Sequence, residues 1–342
     1  MNIEEFDYPL PSSLIAQYPS SQRGDSRLMI LHRWGPTIKH GTFRDILNYL
    51  HPGDLLVMND TRVLPARLIG RKETGGKVEI LLIPSWNGNQ NEWEVLIKGS
   101  GKMRPGTQIR FGESLSGQVK DLKDGKGKIC FSGHEEISAV IQKIGHIPLP
   151  PYIKRGDEFL DRDRYQTIFA KREGSIAAPT AGLHFTHSLL NSLKEQGVNF
   201  TTITLHIGIG TFTPIKVNQI EDHRMEKEWV EISEEVAREI EETKKRGGRV
   251  ISVGTTTTRA LESFSDKEGR VQPGKKVASL FIYPPYRFRV IDGLVTNFHL
   301  PKSTLLLLVS AFTGKELLMK AYQEAIKEKF RFYSYGDAML IL

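Results

Sequence analysis

The chain has 342 residues, 39% hydrophobic and 25% charged, an ordinary globular composition long enough for two domains or one large one. Lys and Arg number 47 against 40 Asp and Glu, a net charge of +7 that attracts polyanions, yet the basic residues are scattered, so charge alone does not identify a nucleic-acid binder. The single cysteine, Cys130, excludes an intramolecular disulfide and a cysteine-based zinc site and fits a reducing compartment, the cytoplasm.

Residues 1–8 carry acids where a secretory leader needs a basic start and an apolar run. The longest apolar stretch, 305–312, is too short to span a bilayer, so no membrane is expected as a partner. Residues 54–58 (DLLVM) read as a buried strand that delivers Asn59, Asp60 and Thr61 at its tip. From 66 to 131 the texture changes to short alternating segments (ARLIGR, KVEILLI, EWEVLIKG, TQIRF, SGQVKDL, GKICF). Turn signals at Gly75-Gly76, Asn87-Gly88, Pro105-Gly106 and Asp124-Gly125 separate them, which predicts a small antiparallel barrel or sandwich.

Residues 134–144 read as one helix, and Pro148, Pro150 and Pro151 then make a stiff connector out of the β region. Beyond it, helical patterns at 187–196, 234–246 and 258–264 alternate with strand patterns at 200–207 and 249–253, the mark of βαβ units in a parallel or mixed sheet. Residues 54–58 share that character. The expected fold is therefore α/β: a large discontinuous α/β domain with a mixed sheet, residues 1–64 and 150–342, with a small antiparallel β-barrel-like domain, 65–149, inserted in it. Residues 316–329 put Leu317, Leu318, Ala321, Ala325 and Ile326 on one face of an amphipathic helix, best explained by packing.

Several segments carry chemical potential. Residues 174–186, GSIAAPTAGLHFT, set small residues with Pro179, Thr180 and His184 just before a helix. Such a run lets backbone N–H groups approach an anionic ligand, although a tight loop under a sheet fits equally well. Residues 253–259, VGTTTTR, gather four Thr hydroxyls at a strand-to-helix turn. This is not a Walker loop, and Arg259 tips it from plain N-capping toward anion binding. Gly208 and Gly210 in LHIGIGTF lack the third glycine and the acid of a dinucleotide fingerprint.

His184, His206, His223 and His299 stand in apolar or small-residue contexts without the spacing of a zinc site, so no metal is expected, and each alone is more often a core histidine than a catalyst. Residues 59–62 and 335–337 are polar groups between apolar runs. Unpaired burial costs roughly 1–3 kcal/mol each, so they should occur as pairs or ligand contacts; an Arg62 to carboxylate pair is the plain account.

The segments FDYPLPSSLIAQYP with SRLMIL, VMNDTRVLPARL, LPPYI followed by DRYQTIFA, GSIAAPTAGLHFT, LHIGIGTFTP, VISVGTTTTRALES, LVTNFHLPKSTLLLLVSAF and RFYSYGDAMLI run in order from residue 6 to 341. They resemble the signature segments of the S-adenosylmethionine:tRNA ribosyltransferase-isomerases of queuosine synthesis. The resemblance implies an α/β domain carrying a smaller β-barrel. It also implies S-adenosylmethionine as a consumed co-substrate, with no separate cofactor, and a tRNA bearing 7-aminomethyl-7-deazaguanine at the wobble position as acceptor. Epoxyqueuosine-tRNA would be the product, with adenine and methionine released. A cytoplasmic monomer is expected.

That chemistry needs a base near the sulfonium-acidified C5′ hydrogen, a proton for departing adenine and an anion site for the methionine carboxylate. Under the resemblance, proton transfer is expected of His184, with Asp60 or Asp337 as alternatives. Arg259 with Thr255 and Thr256 is expected to hold the methionine carboxylate or a tRNA phosphate. Arg62, Thr180, Asn297, His299 and Tyr335 are expected as further substrate contacts. Two positions depart from the family pattern: Glu226 replaces the second histidine of His-x-Met-His-x-Glu at 223–228, and Pro285 replaces the glycine of Pro-Gly-Tyr, which implies a loop of different shape.

Two rival classes are an S-adenosylmethionine-dependent RNA methyltransferase and a non-catalytic RNA-binding module. The first lacks a glycine-rich loop after the 54–58 strand; the second would stack bases on Trp86 and Trp93 of the barrel.

Overall fold

The computed structural model describes residues 1–35, 37–84, 92–98, 103–133, 136–208, 210, 215 and 217–342. The chain opens with β1 (Arg27–His32), β2 (Thr37–Thr42), β3 (Leu55–Asn59) and the short β4 (Thr61–Val63). Six strands follow: β5 (Arg67–Lys72), β6 (Lys77–Ile83), β7 (Glu92–Lys98), β8 (Gln108–Phe111), β9 (Leu115–Lys123) and β10 (Lys126–Gly133). Then come α1 (Ile137–Ile144), α2 (Asp161–Arg164), β11 (Arg172–Ser175), α3 (His187–Glu195), β12 (Asn199–His206) and β13 (Glu228–Ile232). The chain continues through α4 (Glu234–Lys245), β14 (Val250–Val253), α5 (Thr255–Ser263), β15 (Gly274–Ala278), β16 (Gly293–Asn297), α6 (Thr304–Thr313), α7 (Lys315–Lys327) and β17 (Ala338–Ile341).

Nine strands form one mixed sheet in the order β15-β13-β12-β3-β14-β16-β17-β1-β2, and β5 to β10 close into a six-stranded antiparallel barrel. The neighbours β12/β3, β3/β14, β14/β16 and β1/β17 run parallel. Strand β3 explains the continuous DLLVM run. Leu55 and Val57 belong to the core on one face of the sheet and Leu56 and Met58 to the core on the other, so every position is buried.

The barrel instead alternates, as in the pattern of β6, because only its inward face is dry. Leu68, Ile80, Val95, Ile109, Val119 and Ile129 fill it, with Val140 and Ile141 of α1 packed alongside. Gly70 permits closure there, since a Cβ would lie 2.7 Å from Ile109 and from Phe111.

Helix α5 begins three residues ahead of the predicted 258. Thr257 and Thr258 sit inside it, their hydroxyls bonded back to the Val253 and Gly254 carbonyls at 2.8 and 3.2 Å, which satisfies them without a cap. Helix α1 starts at Ile137; residues 134 and 135 of the predicted helix lie outside the described residues. The peptide between Pro284 and Pro285, at the second departure, is cis. No helix among the described residues is long and apolar enough to cross a membrane.

Candidate active site

Parallel strands β14 and β16 point their carboxyl ends at the same place, the usual position of a site in an open α/β sheet. After Val253 the chain turns through Gly254, whose φ of 94° is open to glycine and strained for other residues, and enters α5 directly. Thr255 and Thr256 thereby occupy the first turn of the helix. After β16 come Asn297, Phe298 and His299, and the 3₁₀ turn Thr180–His184 packs against that strand.

Together these segments wall a cleft that also takes in Tyr152, Ser303, Tyr333 and Ser334. Among the described residues its lining includes no Asp, Glu, Lys or Arg. His299 adds no charge: burial pushes its ring down to about 3, with Nε2 set 2.7 Å from Thr296 Oγ1. The rings of Tyr152 and Tyr333 stack with centroids 4.3 Å apart. Tyr333 holds a φ of 72°, costly for a bulky side chain and a common mark of functional sites. The buried Thr256 Oγ1, Asn297 Oδ1 and Tyr333 hydroxyl have no hydrogen-bond partner among the described residues.

Five of the predicted site residues, Thr180, Thr255, Thr256, Asn297 and His299, meet in this cleft. Arg259 lies one turn further along α5, in an apolar pocket that shares Thr255, Thr256 and Leu305 with the cleft and is closed by Met225, Phe281 and Leu308. Its guanidinium is ion-paired with Glu228, and burial lowers it to about 10.

His184 and Tyr335 line a smaller pocket next door, and Ser334 borders both. The His184 ring spans Ser26 Oγ at 2.8 Å and Asn297 Nδ2 at 3.1 Å; burial, with Arg23 and Arg331 nearby, pushes it down to about 3. Tyr335 donates to Asp161 at 2.7 Å.

The remaining three stand elsewhere. Asp60 faces a separate depression with Arg172 and Glu231, accepts from Thr204 at 2.6 Å and is shifted up by burial. Arg62 is exposed, 3.8 Å from Glu173, the carboxylate pairing the residue pattern suggested. The Asp337 carboxylate accepts the backbone N–H groups of Arg27 and Arg331 at 2.8 and 2.7 Å and is raised by burial. Among the described residues no three His, Cys, Asp or Glu side chains gather as a metal site would require.

Sequence reasoning missed Tyr152, Tyr333, Ser334 and Glu228. The first three sit inside the quoted LPPYI and RFYSYGD segments, whose aromatic density was the available signal; Glu228 is the closing acid of the His-x-Met-His-x-Glu pattern at 223–228, which was the signal for it. Glu226 packs on Gly210 so closely that a Cβ there would lie 2.1 Å from its Cγ. On the barrel, Trp93 packs against the core, and Trp86 lies outside the described residues. The outer barrel face carries a row of exposed cations: Arg71 of β5 stands directly opposite Lys77 of β6 on one side and Arg110 of β8 on the other, none in an ion pair with a described residue.

A family model described as "Queuosine biosynthesis protein" matches residues 3–341. S-adenosylmethionine:tRNA ribosyltransferase-isomerases of Halothermothrix orenii and Pelobacter propionicus are each 52% identical to the chain, over 100% of both partners. The crystal structure of S-adenosylmethionine tRNA ribosyltransferase from Thermotoga maritima is similar with a TM-score of 0.57 and 39% identity, covering 99% of this chain and 100% of that one. With matches of this extent, the chain belongs to the S-adenosylmethionine:tRNA ribosyltransferase-isomerase family of queuosine biosynthesis.

Proposed function

We propose that this protein, acting as a cytoplasmic monomer, moves the ribosyl moiety of S-adenosylmethionine onto 7-aminomethyl-7-deazaguanine at the wobble position of tRNA, giving epoxyqueuosine and releasing adenine and methionine. The observation that carries the proposal is the uncharged cleft at the ends of β14 and β16, in a chain that matches ribosyltransferase-isomerases from end to end. An uncharged wall suits the adenosyl half of the donor. In the neighbouring pocket Arg259, paired with Glu228, stands with Thr255 and Thr256 and shares its guanidinium with the methionine carboxylate.

Thr180, Thr255, Thr256, Asn297 and His299 then contact the donor. None of the three proton-transfer candidates lines the cleft: His184 meets it through Asn297, and the Asp60 and Asp337 carboxylates hold other parts of the chain together. The acceptor is a polyanion, and the Lys77, Arg71 and Arg110 row is one surface to receive its phosphates, with cations of the α/β domain sharing the contact. We place the domain divisions at 64/65 and 149/150, a choice supported by the barrel's separate hydrophobic core.

The test is to incubate the protein with S-adenosylmethionine and tRNA bearing the aminomethyl base. Adenine release with the ribosyl-derived mass gain on the base is expected. S-adenosylhomocysteine would instead identify a methyltransferase, and tRNA binding without turnover a binding module.

A further inference from the structure

Asn297 has one amide end fully engaged and the other without a partner among the described residues. Its Nδ2 donates to the Tyr333 carbonyl at 3.1 Å and, more weakly, to the Asp337 carbonyl at 3.4 Å. Carbonyl oxygens only accept, so turning the amide over would set oxygen against oxygen; the orientation is fixed by chemistry. The same logic fixes His184: one Nδ2 hydrogen is shared by the two carbonyls and the other points at Nε2, 3.1 Å away, which must accept, and this puts the ring proton on Nδ1 facing Ser26 Oγ. Burial keeps the ring neutral, as an acceptor requires.

That leaves Asn297 Oδ1, an atom that can only accept, buried in a side chain 2% exposed on the wall of the cleft. The unpartnered Thr256 and Tyr333 hydroxyls beside it can donate or accept, so Asn297 is the position with an unambiguous demand.

We propose that Asn297 Oδ1 receives an N–H of a substrate amino group in the cleft, and that His184 is the positioning residue that locks the amide in this orientation, its Nε2 lone pair committed to Asn297 rather than to a reacting proton. The inference rests on the function proposed above, whose substrates carry four amino groups; the methionine α-amino group is a cation better served by a carboxylate and the 2-amino group of the base takes no part in the transfer, which leaves the exocyclic amine of adenine and the aminomethyl nitrogen of the acceptor base. An uncharged acceptor suits either. It holds an N–H without favouring the ammonium form, so a nucleophilic amine keeps its lone pair, whereas a carboxylate would stabilise the protonated amine.

The experiment compares wild type, Asn297→Ala, His184→Gln and His184→Leu. Steady-state turnover and its pH profile are measured with the aminomethyl tRNA, and calorimetric binding with S-adenosylmethionine and with its analogue carrying hypoxanthine for adenine. Asn297→Ala should lose roughly ten- to a hundredfold in kcat/KM, the cost of one unpaired buried group. His184→Gln keeps an acceptor but no titrating ring; it should stay within about threefold of wild type with an unchanged pH profile, while His184→Leu falls to the level of Asn297→Ala.

Weaker donor binding in Asn297→Ala that disappears with the hypoxanthine analogue identifies the adenine amine. Unchanged donor binding with loss only in tRNA turnover identifies the acceptor amine. Both outcomes support the proposal. Wild-type turnover by Asn297→Ala overturns it, as does His184→Gln being as inactive as His184→Leu with the acidic limb of the profile gone. If Asn297→Ala does not fold, the two His184 variants decide alone. If wild type releases no adenine, the proposed function fails while the donor-binding comparison still judges Asn297: weakened binding supports its role and unchanged binding overturns it.

Discussion

Inside the protein the guanidinium of Arg259 is paired with the carboxylate of Glu228, side chains only 5% and 2% exposed. Glu228 also accepts the Gly208 N–H at 3.3 Å, so the pair ties α5 to β13 and to the turn after β12. Removing one member of a buried pair strands the other charge, typically at about 3–5 kcal/mol. Glu228→Ala should therefore lose stability on that scale in urea unfolding. The double variant Glu228→Leu with Arg259→Met should recover much of it, and equal loss in single and double variants would show that packing, not charge, dominates.

Three buried histidines make stability pH-dependent. Burial holds His184 and His299 down to about 3 and His206 to about 4. Their unfolded value is near 6.5, so on acidification the unfolded chain takes up protons first. The contribution is complete above about pH 6.5 and is lost as pH falls toward the folded values, at up to about 1.4 kcal/mol per pH unit for each ring. Urea unfolding at pH 7.5, 6 and 5 should show the decline, and His299→Gln should remove one proton from the slope.

Tyr333 combines a left-handed backbone with a ring stacked on Tyr152. Tyr333→Ala forfeits the stack and keeps the backbone cost; Tyr333→Gly forfeits the stack and relieves it. The glycine variant should be the more stable of the two by about 1 kcal/mol, reversing the usual order of these residues. Thermal unfolding of the pair checks this.

The row Lys77, Arg71, Arg110 places like charges directly opposite one another across two strand pairs, an arrangement that weakens a sheet. Arg71→Glu should stabilise the protein by roughly 0.2–1 kcal/mol per relieved pair while weakening tRNA binding and flattening its dependence on salt. Filter binding between low and moderate ionic strength measures the second effect. Unchanged affinity would remove this face from the proposed tRNA surface.

The elements were legible wherever one physical pattern ruled. The 54–58 run is β3 displaced by one residue, the alternating segments are the barrel strands, and the 234–246 and 316–329 patterns are α4 and α7 to within two residues at each end. Legibility failed at α5, where threonine chemistry suggested a cap and tertiary packing made a helix interior. The cleft was readable only in pieces. Thr180, Thr255 and Asn297 belong to segments that stood out, but their meeting depends on sheet order, and no local pattern tells which strands are neighbours. Nor could local pattern show that His184 faces Asn297 across 113 positions of chain, or that Arg259 already has a carboxylate beside it.

The sheet order also ties the cleft to both ends of the chain. Strands β1 and β2 join the other seven only through β17, which lies between β16 and β1. The Asp337 carboxylate that anchors this seam receives the Arg27 N–H from 310 residues away. Closing so long a loop is entropically slow. Asn297, bonded to the Tyr333 and Asp337 carbonyls, takes its orientation from that same seam, so a cleft residue in the middle of the chain is held by a contact between its two ends.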